Sequence, residues 1–229
     1  MLLPGLGEAE LPASVRVGLA LGLTALLLPG LAPAMPPPPA EPVAVAAMVA
    51  AELVTGLWLG WLARLLVQAL PIAGQIASYM LGLSNVLQPD PELGAQTTAL
   101  ARLLGLAAPV ILLASGLYAL PVMALAGSYK LIAPGALVPA ADASELVVRA
   151  VAGAFGLALR LASPFVLASI VWHLALALLA RAVPRLQVYA LAMPGQILGG
   201  LVLVAALTAA LIAAWQDAVR DGYAHLPGL

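Results

Sequence analysis

Few residues in this chain can do acid–base or ligand chemistry. There are 2 histidines, 10 carboxylates, 9 basic side chains and no cysteine. His173 and His225 lie far apart in sequence, and no HExxH, GxSxG or phosphate-loop pattern occurs. Without cysteine there is no disulfide, no thiolate nucleophile and no Cys-based metal site. The expectation is a protein that is not an enzyme, with no cofactor and no metal. Three ionisable residues inside apolar runs still need an explanation. His173, in Trp172-His173-Leu174, is either a proton relay or pore group, or a side chain satisfied by hydrogen bonds across helices or in a wet groove. We expect the second. Glu52 is the most isolated acid in an apolar run. A charge there costs about 2.5–3.5 kcal/mol on insertion scales, so it must face protein or water. It serves either ion coupling, as in a transporter, or a buried hydrogen bond or ion pair to a partner subunit. Arg160, just before Ser163-Pro164, poses the same choice.

The elements that hold these residues are apolar throughout. Of 229 residues, 64% are hydrophobic and 8% charged, against about 25% charged in a soluble domain. So few charges cannot cover a water-facing surface, so the bilayer or a large apolar partner must act as solvent. The net charge of −1, without a basic stripe, removes nucleic acid as a partner. The amino terminus lacks the basic start and apolar run of a secretory signal, so insertion is expected to use the spans themselves.

The sequence predicts a single all-α membrane domain with roughly five hydrophobic segments, several broken by proline. The first runs from Val15 to Leu31, with Ser14 as a cap, and ends at the Pro36–Pro39 tract. The second runs from Val43 to Leu70; its first part, Val43 to Ala63, is long enough for one crossing at about 1.5 Å per residue. A short helix near Ile72 to Leu83 and an irregular, semi-apolar loop follow. The third, Leu103 to Ala126, is broken by Pro109 and Pro121. Asp142-Ala143-Ser144-Glu145 reads as a capping box. The fourth, Leu146 to Ala180, carries Ser163-Pro164 midway and is too long for one crossing: it is either a kinked pair of segments or one helix reaching beyond the bilayer. The last, Val188 to Trp215, leads into a polar tail. Glycines four apart, at Gly18/Gly22, Gly56/Gly60 and Gly195/Gly199, suit close helix contacts in lipid. Of these, Glu52, Gly56 and Gly60 are the expected helix-contact residues.

Several stretches, in order over nearly the whole chain, resemble the FliR family, called SctT in injectisomes. Leu11-Pro12-Ala13-Ser14-Val15-Arg16 and the following Val17 to Leu21 are similar to its IPxxVRxxLAL opening. Glu52 to Trp61 is similar to its EhhhGhhhGF helix, where h is apolar. Ala73-Gly74-Gln75-Ile76 and Gly82-Leu83-Ser84, with Asp90-Pro91 beyond, are similar to its AGxhh…GhS segment. Arg181 to Tyr189 resembles its RxxPQhNhF turn, with Arg185 where glutamine is usual. Family members carry a further hydrophobic segment before the opening stretch.

The resemblance implies a channel-forming subunit of a flagellar or type III export gate in the bacterial inner membrane. Its partners would be FliP-like and FliQ-like subunits and an FlhB-like protein, and its cargo unfolded substrates. It further implies a FliP-like part over residues 1–145 and a FliQ-like helical hairpin over 146–229. Gly82, Ser84, Asn85, Val86, Leu87, Asp90 and Pro91 would belong to a plug that closes the resting channel. Arg181, Pro184, Arg185 and Gln187 would form a cytoplasm-facing turn, in keeping with the positive-inside tendency. The alternative from a different class is a stand-alone secondary transporter of a small solute using Glu52 or Arg160. Transporters often show two similar halves, and this chain has none.

Overall fold

Runs rich in leucine, valine and alanine become helices in lipid, because each backbone group must find its partner within its own segment. The computed structural model describes residues 2–8, 10–37, 39–83, 97–182 and 188–229. Among them the elements are all helical: α1 (Ala13–Leu31), a 3-10 turn (Ala32–Ala34), α2 (Pro42–Met80), α3 (Ala99–Ser115), α4 (Ala119–Ser128), α5 (Ala140–Ala182) and α6 (Val188–Ala224). Four of these helices are long and apolar enough to cross a membrane, or up to five if the bent pair α3 and α4 is one span. The chain is an all-α polytopic membrane protein, as the composition predicts.

The prolines break less than expected. Pro164 lies inside an unbroken α5 of 43 residues. Its ring has no N–H for the carbonyl four residues back, that of Arg160. The Ser163 hydroxyl donates to that carbonyl instead, at 2.7 Å, a repair that keeps the helix continuous in lipid. Pro71 lies inside α2, which runs on to Met80 in place of the separate helix expected near Ile72 to Leu83. Pro109 is likewise inside α3. The bend in the third run falls at residues 116–118 and measures 76°. Gly116 there has φ +74°, a left-handed conformation that L side chains rarely adopt. Pro121 falls within the first turn of α4, where its missing N–H is not needed.

Three end signals also resolve differently. Pro12, not Ser14, caps α1, and its carbonyl accepts from the Val15 and Arg16 amides. The capping box does not form, because α5 begins at Ala140, ahead of Asp142. Glu145 pairs with Arg149 one turn on, at 2.6 Å. At the far end, α6 continues past Trp215 to Ala224. Trp215, Val219 and Tyr223 are fully buried, and their spacing of four puts them on one helical face. Asp217, Arg220 and Asp221 remain exposed.

The chain divides into two compact units. The first comprises Met1–Val67, Ala108–Ala154 and Ala218–Leu229; the second comprises Gln68–Ala107 and Phe155–Asp217. The core of the second is Ala77, Leu81, Leu83 and Phe165, with Leu203, Val204 and Leu207 packed on it. In the first, Leu59, Leu62, Ala63, Leu112, Val219 and Tyr223 are buried. Helix α1 has no buried residue, although Leu21 and Leu26 are among its side chains. Such a helix needs lipid or another protein around it.

Candidate functional site

In the first unit, Glu52 fastens one connection to one helix. Both its carboxylate oxygens accept hydrogen bonds, from the Tyr129 hydroxyl at 2.9 Å and from the Gly135 amide at 2.7 Å. Tyr129 directly follows α4, and Gly135 lies in the connection from α4 to α5. Gly135 has φ +82°, and this left-handed conformation is one that glycine adopts without a steric penalty. The Tyr129 hydroxyl is pushed up to about 12, first by burial, then by its bond to Glu52 and the Glu52 charge. It therefore stays a protonated donor at neutral pH. Glu52 thus makes part-buried hydrogen bonds within its own chain, where a bond or ion pair to a partner subunit was one expectation.

Gly56 and Gly60 follow at one-turn intervals on α2. A Cβ added at Gly60 would lie 2.9 Å from Leu2 Cβ, so the close neighbour of Gly60 is the amino-terminal segment. That segment is held by Glu8, whose carboxylate pairs with Arg64 at 2.9 Å and accepts from the Gly5 amide at 2.9 Å. A Cβ added at Gly56 would meet nothing within 4 Å. Gly56 instead lines an apolar cavity of about 320 Å³ with Leu2, Leu53, Leu57, Leu125 and Leu226. Gly18, Gly22 and Gly199 are similarly open, while Gly195 faces the Trp172 ring.

The expected plug falls mostly on residues 84–96, which lie outside the described residues. Ser84, Asn85, Val86, Leu87, Asp90 and Pro91 are among them; Gly82 is described. The described residues on either side of this stretch are anchored in the second unit. On the leading side, Leu81 and Leu83 are in the core, and the Gln196 amide reaches the Met80 carbonyl at 3.5 Å. On the trailing side, Gln75 Oε1 accepts from the Thr98 amide at 3.0 Å and from its hydroxyl at 3.2 Å. The Thr98 hydroxyl in turn caps α3, accepting from the Ala101 amide at 3.4 Å. Nearby, a Cβ on Gly74 would lie 3.1 Å from Ala101 Cα, so α2 and α3 touch backbone to backbone there. Thr98 carries an N-cap signal, a threonine just before an apolar run, whereas Gln75 enters the sequence reading only within the Ala73-Gly74-Gln75-Ile76 stretch. Thr98→Ala is expected to cost about 1 kcal/mol. Thermal unfolding of the purified chain in detergent should show the midpoint fall by about 2–4 °C.

The remaining candidates are placed as follows. Arg181 is exposed in the last turn of α5, where a cation suits the helix dipole. Pro184, Arg185 and Gln187 lie outside the described residues. His173 Nδ1 is 2.7 Å from the Ser169 carbonyl oxygen and 3.3 Å from the Ser169 hydroxyl, so this ring nitrogen is satisfied within its own helix. Arg160 is exposed on α5. Among the described residues, no three His, Cys, Asp or Glu side chains gather as a metal site.

This arrangement is that of a polytopic membrane protein in which Glu52 and the Glu8–Arg64 pair fasten connecting segments and α1 carries no buried residue. Residues 1–222 match the family model for bacterial export proteins, family 1. The flagellar biosynthetic protein FliR of Caulobacter vibrioides is 31% identical over 221 residues, covering 96% of this chain and 88% of that protein. FliR of Bacillus subtilis is 25% identical over 146 residues, covering 62% of this chain and 56% of that protein. The chain belongs to the FliR family of bacterial export proteins.

Proposed function

We propose that this chain is a channel-forming subunit of the flagellar-type protein export gate in the bacterial inner membrane. It passes unfolded substrates together with FliP-like and FliQ-like subunits, next to an FlhB-like protein. The family match across residues 1–222 carries this reading. The bare faces of α1 and the open groove at Gly56 support it, because an assembly supplies the surfaces that cover them. In this reading, residues 1–145 form the FliP-like part and 146–229 the FliQ-like hairpin. The loop after Gly82 is the plug, including Ser84, Asn85, Val86, Leu87, Asp90 and Pro91. Arg181, Pro184, Arg185 and Gln187 form the cytoplasmic turn. Glu52, engaged by Tyr129 and Gly135, acts as an anchor and not as an ion-coupling group.

Loss of the gene tests the reading. Export of flagellar-type substrates should stop while general secretion continues. Unimpaired export together with loss of uptake of a small solute would instead support a transporter.

A further inference from the structure

Thr55 lies three residues after Glu52 on α2, on the same helical face. Its hydroxyl oxygen is shut off from solvent and has no hydrogen-bond partner among the described residues. Other threonines inside helices of this chain bond back to their own backbone. Thr24 donates to the Ala20 carbonyl at 2.8 Å and Thr208 to the Val204 carbonyl at 2.6 Å. Thr55 forgoes the equivalent bond to Ala51. It lines a second, small cavity of about 40 Å³ that also touches Glu52, Ser128 and Tyr129.

Each polar wall group has capacity left. The Glu52 oxygens accept one bond each, and a carboxylate has about four acceptor positions. The Tyr129 hydroxyl donates to Glu52 and can still accept. The Ser128 hydroxyl donates to the Leu125 carbonyl and can still accept. A cavity holds a water once it offers about 10–15 Å³ and two to four polar partners; this one exceeds the volume and supplies four polar side chains. The wall holds a single carboxylate among three hydroxyl-bearing side chains, a set that suits a neutral guest able to donate and accept.

We propose that this cavity is a binding site for one structural water, which accepts from the Thr55 hydroxyl and donates to the Glu52 carboxylate and to the Tyr129 hydroxyl oxygen. The water extends the Glu52 anchor. It ties Thr55 on α2 to the end of α4, so that Thr55 is a positioning residue for the connection from α4 to α5. The inference concerns the fold of the chain itself and stands whether or not the export reading does.

A double-mutant cycle on the full-length protein in detergent tests it. Thr55→Val keeps the shape and removes the hydroxyl; Tyr129→Phe removes the other. Thr55→Val should lower the apparent melting midpoint by about 2–4 °C, and Thr55→Ser should restore it. In the double variant the Thr55→Val loss should shrink, because both hydroxyls act through one water. Fully additive losses, or a Thr55→Val protein as stable as the parent, would overturn the proposal. A density map with the Thr55 hydroxyl bonded to the Ala51 carbonyl would overturn it too, as would a melting midpoint that shifts between sodium and potassium buffers, which would indicate a bound cation.

Discussion

Deleting residues 84–95 and closing the gap with a short glycine–serine bridge is expected to leave the membrane leaky to ions at rest. This stretch is the proposed plug, and the described residues on either side of it are held by contacts of their own. Leu81 and Leu83 sit in the core of the second unit, and Thr98 is held by Gln75 and caps α3. Close packing at Gly74 and Ala101 holds the neighbouring helices together without the loop. The deletion should therefore remove the seal and spare the walls. Patch-clamp or ion-flux recording on cells carrying the deleted chain should show a resting conductance clearly above that of the parent, as expected when a pore loses a constriction that gates it. Unchanged conductance at normal membrane levels of the protein would count against the plug.

Gly56→Leu is expected to abolish assembly while the chain still inserts and folds. The separation of these two effects comes from the geometry. A Cβ at Gly56 meets nothing within 4 Å inside the chain, so the larger side chain has room in the isolated subunit. A partner helix packed close against α2 there would be pushed away, since small residues set such contacts. Gly60→Leu provides the contrast. It would collide with Leu2 at the amino-terminal segment and disturb the subunit itself. Native gel analysis should show Gly56→Leu at normal membrane level but missing from the large complex. A normal complex yield would remove Gly56 from the contact surface.

The class of fold is legible in the sequence because composition alone dictates it: so few charges on so long an apolar chain leave only a polytopic helical arrangement. The breaks are less legible. Pro164 looks like a stop until Ser163 is seen bonding to the carbonyl that the proline leaves behind, whereas the real bend falls at Gly116 through its positive φ. The polar residues after Trp215 read as a tail, but the spacing of Trp215, Val219 and Tyr223 was a helical stripe available in the sequence. The site is harder to read. Glu52 stands out as an acid in a span, yet Tyr129 and Gly135 are 77 and 83 residues away. Nothing local names them. Arg64 and Glu8 are 56 residues apart and equally hidden. The Gly56 and Gly60 pair reads as one helix contact, but Gly60 packs closely against Leu2 while a Cβ at Gly56 meets nothing within 4 Å.

Purification of the tagged chain from its native membrane in mild detergent, with the recovered proteins read by mass spectrometry, tests the central claim most directly. The account predicts FliP-like and FliQ-like subunits in one stoichiometric complex with this chain. Recovery of the chain alone, as a monomer or a dimer of itself in several detergents, would contradict it.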